Sequence, residues 1–117
     1  MKKRANKTAY PAAVPYEADL IDRLRDPQYA ADYLSACLNS GGDPDEELEV
    51  FFAAIGKIIK AFGVQGVADE MEMSRDALYK IISEHHNPKT KTLMRLLDVL
   101  GFQFSIQPIP KQLRRIP

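Results

Sequence analysis

The stretch GVADEMEMSRDALYKII, Gly66 to Ile82, decides how this chain is read. Val67, Ala68 and Met71 line one face of a first short helix. Ala68 is small at the point where a second helix must cross closely. Met73 is apolar between the two helices and can plug into a core. Ser74 is a good N-cap for the second helix, because its hydroxyl can accept a backbone N–H of the first turn. Ala77, Leu78, Ile81 and Ile82 then face inward, leaving Arg75, Asp76, Tyr79 and Lys80 pointing away. Two short helices joined by a tight turn have a shape that lets the second helix lie in a DNA major groove.

Upstream, the apolar spacing predicts three helices. The first begins near Tyr16, with Leu20, Ile21 and Leu24 on one side. Asp26-Pro27 restarts the chain, since aspartate caps well and proline suits the first helical position. Tyr29, Ala30, Tyr33, Leu34, Cys37 and Leu38 follow at helical spacing, and Asn39-Ser-Gly-Gly ends that helix. Asp43-Pro44 repeats the start signal. Asp45, Glu46 and Glu47 favour a helix N-terminus through the dipole, so this acidic cluster has a structural explanation. Leu48, Phe51, Phe52, Ile55, Ile58, Ile59 and Phe62 form a stripe with steps of three and four, as expected of a central core helix. Gly56 inside it costs about 1 kcal/mol against alanine, which close packing of another helix would offset. Gly63 closes the helix.

Downstream, Asn87-Pro88 breaks the chain, and Thr90 or Thr92 is expected to start a last helix. Leu93, Leu96, Leu97 and Leu100 face inward in it, and Gly101 caps it. Residues 102–107, Phe-Gln-Phe-Ser-Ile-Gln, alternate with period two and are expected to form a short C-terminal β-strand. A lone strand must pair elsewhere in the chain, with a second subunit or with another protein. Residues 1–15 read as a flexible basic arm, 16–107 as one helical domain with the two-helix unit at about 64–83, and 108–117 as a basic tail.

Composition excludes several function classes. The chain has 117 residues, 45% of them hydrophobic, which suits one domain with a modest core. Its 16 basic and 16 acidic side chains cancel, so no basic coat for nucleic acid exists. A single cysteine, Cys37, allows no intramolecular disulfide, and its place in an apolar stripe assigns it to packing. His85 and His86 are adjacent, so a regular element points them apart, and no spaced ligands complete a metal site. No phosphate loop and no nucleophile–base pair is found, so neither an enzyme nor a cofactor is expected. The longest apolar run, Val50 to Ile55, is far short of a membrane span, and no signal peptide follows the basic start. These features read as a soluble cytoplasmic protein.

The order of motifs resembles one family. The two-helix window is similar to the helix-turn-helix of phage-repressor and Xre-like regulators. The wider stretch, from Asp26-Pro27 and Tyr33-Leu34 through Ser74-Arg75, Leu78-Tyr79-Lys80, Asn87-Pro88, Thr92-Leu93 and Leu100-Gly101-Phe102, resembles the HigA-like probable addiction-module antidote family. The match covers roughly three quarters of the chain and leaves out both basic ends. It implies an all-α, phage-repressor-like bundle of about five to six helices with a short C-terminal β-strand. It also implies a DNA-binding antitoxin that neutralises a RelE/ParE-like toxin and represses its own operon. Two residues depart from the family pattern. Glu72 stands in the turn where glycine is usual, so it must tolerate a left-handed backbone at roughly 1–2 kcal/mol. Lys91 stands near the start of the last helix where an acid is common.

The expected DNA contacts are Gln65, Ser74, Arg75, Asp76, Tyr79 and Lys80. Gln65 opens the first helix and suits a phosphate or base edge. Arg75 can take guanine bidentately, Asp76 can accept from cytosine or orient Arg75, and Ser74 can bond phosphate or base. Tyr79 and Lys80 suit phosphates. Against this, Gly63 to His86 carries five acids and two bases. A homodimer reading two half-sites on double-stranded operator DNA would enlarge the contact. A stand-alone Xre-like repressor, and a protein-binding adaptor whose helix-turn-helix no longer binds DNA, remain the alternatives.

Overall fold

The computed structural model describes residues 16–83 and 88–116. The basic arm before Tyr16, and His85 with His86, lie outside the described residues. Within them the chain is all-helical. Its six α-helices are α1 (Tyr16–Arg23), α2 (Pro27–Leu38), α3 (Pro44–Phe62), α4 (Val64–Glu70), α5 (Arg75–Ser83) and α6 (Thr90–Leu100), followed by a 3-10 turn at Lys111–Leu113.

The start signals act as their chemistry dictates. The Asp26 carboxylate accepts from the Gln28 N–H at 3.1 Å, and Pro27 occupies the first turn of α2. Asp43 does the same for α3, accepting from Asp45 and Glu46 N–H groups. Glu47 reaches back to the preceding loop and accepts from Ser40 Oγ at 2.9 Å and from the Gly41 N–H at 3.0 Å. Two acids of the cluster at 43–49 are thus committed to local structure. The residue that turns left-handed after α2 is Gly41, with φ +81°.

Helix α3 is the centre. Phe51, Ala54, Ile55, Ile58 and Ile59 are buried on it, and α1, α2, α4 and α5 all pack against it. Leu20, Leu24, Ala30, Leu34, Leu78, Leu96, Leu97 and Leu100 complete the core. Gly56 faces α5. A Cβ there would stand 3.3 Å from Ile82 Cδ1, so the glycine is explained by close helix packing. At the end of α3, Gly63 takes φ 109° and ψ 110°, and its N–H caps the Ile59 carbonyl. The chain leaves in α4 at 104° to α3. No single helix among the described residues is long and apolar enough to cross a membrane.

One sequence expectation fails here. The C-terminal β-strand does not form, and no strand occurs among the described residues. Phe102 donates its N–H to the Leu97 carbonyl and stacks on Phe62, with ring centroids 6.2 Å apart. Beyond it the chain runs exposed and irregular, because six helices offer no sheet edge to pair with. Helix α6 begins at Thr90, one of the two expected starts, and its N-cap is Lys89. Lysine has no side-chain acceptor, so that end carries no side-chain cap.

Cys37 is buried, and burial pushes its thiol pKa up, with Lys57 opposing weakly. A raised thiol pKa means less thiolate at neutral pH. The native protein should therefore react slowly with a thiol reagent and quickly once unfolded, and equal rates in the two states would place the thiol at the surface. Gly63→Ala should lower the stability seen in denaturant titration by roughly 1–2 kcal/mol, since an L side chain strains this backbone even though its Cβ meets nothing. An unchanged midpoint would mean that α3 and α4 can be joined by another backbone route.

Candidate nucleic-acid interface

The unit α4–turn–α5 is set by backbone hydrogen bonds at the end of α4. The Met73 N–H donates to the Ala68 carbonyl and the Glu72 N–H to the Asp69 carbonyl, each at 3.0 Å. This nested pair is the Schellman pattern, which requires a left-handed residue after the last helical turn. Glu72 is that residue, with φ 58°, the single non-glycine of positive φ among the described residues. The same pattern closes α6, where the Gly101 and Phe102 N–H groups reach Asp98 and Leu97 and the left-handed residue is Gly101. The chain thus uses glycine at one such site and glutamate at the other. Arg95 of α6 approaches Glu72 at 3.9 Å, but both side chains are exposed and the pair adds little.

Packing fixes the pair of helices. Val67, Ala68 and Met71 are buried, Met73 is partly buried against the core, and Leu78 is fully buried. Ser74 caps α5, its Oγ accepting from the Ala77 N–H at 3.0 Å while its carbonyl accepts from Leu78. That leaves the hydroxyl hydrogen available as a donor. Arg75, Asp76 and Lys80 are exposed on α5 and hold no ion pair among the described residues.

One candidate residue sits differently from the sequence expectation, and a second carries a local hydrogen bond. Tyr79 is half-buried rather than pointing away. It lies three residues before Ile82, on the flank of α5 that meets α3, and lines a cleft with Phe52, Gly56, Lys57 and Lys60. Gln65 is exposed, but its Nε2 donates to Asp69 Oδ1 at 2.8 Å, one turn along α4. That bond orients the amide and puts a carboxylate on the same face. Spacing of four residues could have suggested the pairing. The crossing of α3 and α5 brings Lys57 and Lys60 onto the same cleft as Tyr79.

A family model described as probable addiction module antidote protein matches residues 16–108. An uncharacterized protein of Haemophilus influenzae is 28% identical over 89 residues, which span 76% of this chain and 87% of that one. No solved structure matches the chain.

The glutamate in the left-handed turn gives a direct test of the geometry. Glu72→Gly should raise stability by roughly 0.5–1 kcal/mol, the relief of strain being partly offset by the freedom glycine gains in the unfolded chain. A loss of stability in thermal or chemical unfolding would count against a left-handed residue at this position.

Proposed function

This chain belongs to the probable addiction module antidote protein family, and we propose that it is a DNA-binding antitoxin of a type II toxin–antitoxin module. In this reading it neutralises a RelE/ParE-like toxin by direct binding and represses its own operon. It acts in the cytoplasm as a homodimer without catalysing a reaction, and its subtype is HigA-like, with an Xre/phage-repressor-type helix-turn-helix. The observation that carries the DNA reading is α5. This helix is capped by Ser74, locked to the core through Leu78, and presents Arg75, Asp76 and Lys80 to solvent with no partner among the described residues. Exposed charges on a rigidly held helix are what base and phosphate contacts need.

The contacts divide by chemistry. Arg75 reads guanine, with Asp76 beside it to orient the guanidinium or to accept from cytosine. Ser74 donates its free hydroxyl hydrogen to a phosphate or a base edge. Lys80 holds a phosphate, and Tyr79 offers its hydroxyl from the flank. Gln65, already oriented by Asp69, contacts the backbone with its remaining donor. One specific observation favours the adaptor alternative, a helix-turn-helix used for protein contacts alone. Asp69 shares the Gln65 face, and Glu70, Glu72 and Asp76 are exposed around the same unit. Carboxylates there oppose phosphate binding.

Fluorescence anisotropy on the chain's own upstream promoter and on scrambled duplex, across a salt series, separates the readings. The antitoxin reading expects tight promoter binding that weakens steeply with salt. Arg75→Ala should then cost about 1–3 kcal/mol on the promoter and little on scrambled DNA, while Lys80→Ala should weaken both alike and reduce the salt slope by about one. Equal losses on both duplexes for Arg75→Ala would remove its base-reading role, and no promoter preference in the parent protein would favour the adaptor.

A further inference from the structure

The segment that follows α6 is exposed, uncharged and unpaired. From Val99 to Pro110 no side chain carries a charge. Phe102, Phe104 and Ile106 alternate with Gln103, Ser105 and Gln107. Phe104 and Ile106 are 44% and 98% exposed. Among the described residues, no backbone or side-chain polar group of residues 103–107 holds a hydrogen bond. Short uncharged segments without proline, rich in aromatic and β-branched residues, pair readily with other strands. Proteins that keep such an edge in water protect it with lysine or proline. Here no lysine stands within the segment, and Pro108 and Pro110 come only after it.

One end of the segment is fixed. The Phe102 N–H donates to the Leu97 carbonyl at 2.8 Å, and its ring stacks on Phe62. Anchoring lowers the ordering cost of docking the rest. In an extended chain the N–H groups of successive residues point to opposite edges. With that of Phe102 turned back onto α6, those of Gln103 and Ser105 face the outer edge. A recess of about 710 Å³ lies between the segment and α2, with Leu34, Leu38, Phe51 and Leu97 on its wall. No side chain that lines it is charged, and neither α4 nor α5 contributes to it. What this surface selects is therefore apolar contact and backbone hydrogen bonding, not charge.

We infer that residues 102–107 hold a different protein by adding a strand to the free edge of that partner's β-sheet. The open N–H and carbonyl groups of the segment are matched by a row of the same groups, which a sheet edge presents. The chain has no strand of its own among the described residues, so a second copy offers only the same single segment. A ribbon of two strands is marginal in water, and a third strand or an apolar support is needed for stability. The partner therefore brings the sheet. Its side chains beside the edge enter the recess and cover Phe104 and Ile106 together with Leu34 and Leu38. The inference rests on the antitoxin reading for the partner's identity: the partner is the toxin. Held this way, the toxin leaves the exposed side of α5 open to DNA.

The test titrates the full chain calorimetrically with the purified product of the neighbouring reading frame of its operon, and follows amide hydrogen exchange in the free and bound chain. The amides of residues 103–107 are expected to exchange fast in the free chain and at least roughly tenfold more slowly in the complex. Ser105→Pro deletes an outward N–H and should weaken binding by at least roughly tenfold, whereas Ser105→Ala keeps it and should bind within about twofold of the parent. Neither substitution removes a hydrogen bond of the free fold, and circular dichroism melts of both check that the fold is intact. Exchange in the parent complex decides the question even if the proline variant melts early. Binding of the product with residues 103–107 exchanging at the free rate, a folded Ser105→Pro that binds as tightly as the parent, or a Ser105→Ala that loses as much, would overturn the strand contact and leave the antitoxin reading standing. A parent protein that does not bind the product would overturn both.

Discussion

Helix α3 buries Ile55, Ile58 and Ile59 completely, and four of the other five helices lean on it. That constraint determines the rest. A 19-residue helix in a chain of this size cannot expose its apolar stripe, so neighbours must cover it on several sides. Helix α2 covers the face containing Phe51, and α5 covers the face where Gly56 lets Ile82 approach. Gly63 then turns the chain through 104°, so that α4 packs back on the helix it follows. A straight continuation would have left Val67, Ala68 and Met71 in water. The position of α5, and with it every exposed charge on that helix, is a consequence of how α3 is covered.

The turn between α4 and α5 shows what this arrangement demands of one residue. Closing α4 with nested hydrogen bonds requires a left-handed backbone at position 72, whatever the side chain. At the end of α6 the same requirement is met by Gly101 without strain. Glu72 meets it with strain, and its exposed carboxylate receives only a distant approach from Arg95. Local strain can persist because Ala68, Met71 and Met73 on either side are held by the core, and moving them would cost more than the turn does.

Much of this was legible in the sequence, for identifiable reasons. Asp26-Pro27 and Asp43-Pro44 are local signals whose outcome depends on neighbours within a few residues, and both cap as expected. The α3 stripe depends only on helical period. The left-handed Glu72 was visible as a departure from a glycine-bearing pattern. What stayed hidden depends on elements distant in sequence. Residues 102–107 alternate as a strand does, but alternation says which face could be buried, not whether a sheet exists to bury it. Tyr79 was assigned outward from its own helix alone, and only the crossing of α3 makes that flank half-buried. Lys89 became the cap of α6 because the backbone after Pro88 is extended there, although its side chain contributes nothing.

Zero net charge would ordinarily weigh against a nucleic-acid partner, but an average conceals how the charges are used. Asp43 and Glu47 are consumed in capping and loop closure, and Asp69 is occupied by Gln65. Each carboxylate held this way is fixed in direction, so its effect on a neighbouring surface depends on geometry rather than on count. Among the described residues Asp45 and Glu49 hold no such duty and stand on the cleft between α3 and α5, where Lys57 and Lys60 stand as well. Arg75, Asp76 and Lys80 hold none there either and stand on the exposed side of α5. Acids and bases without local duties are therefore mixed on both surfaces, and a partner of either sign finds a counter-charge on each.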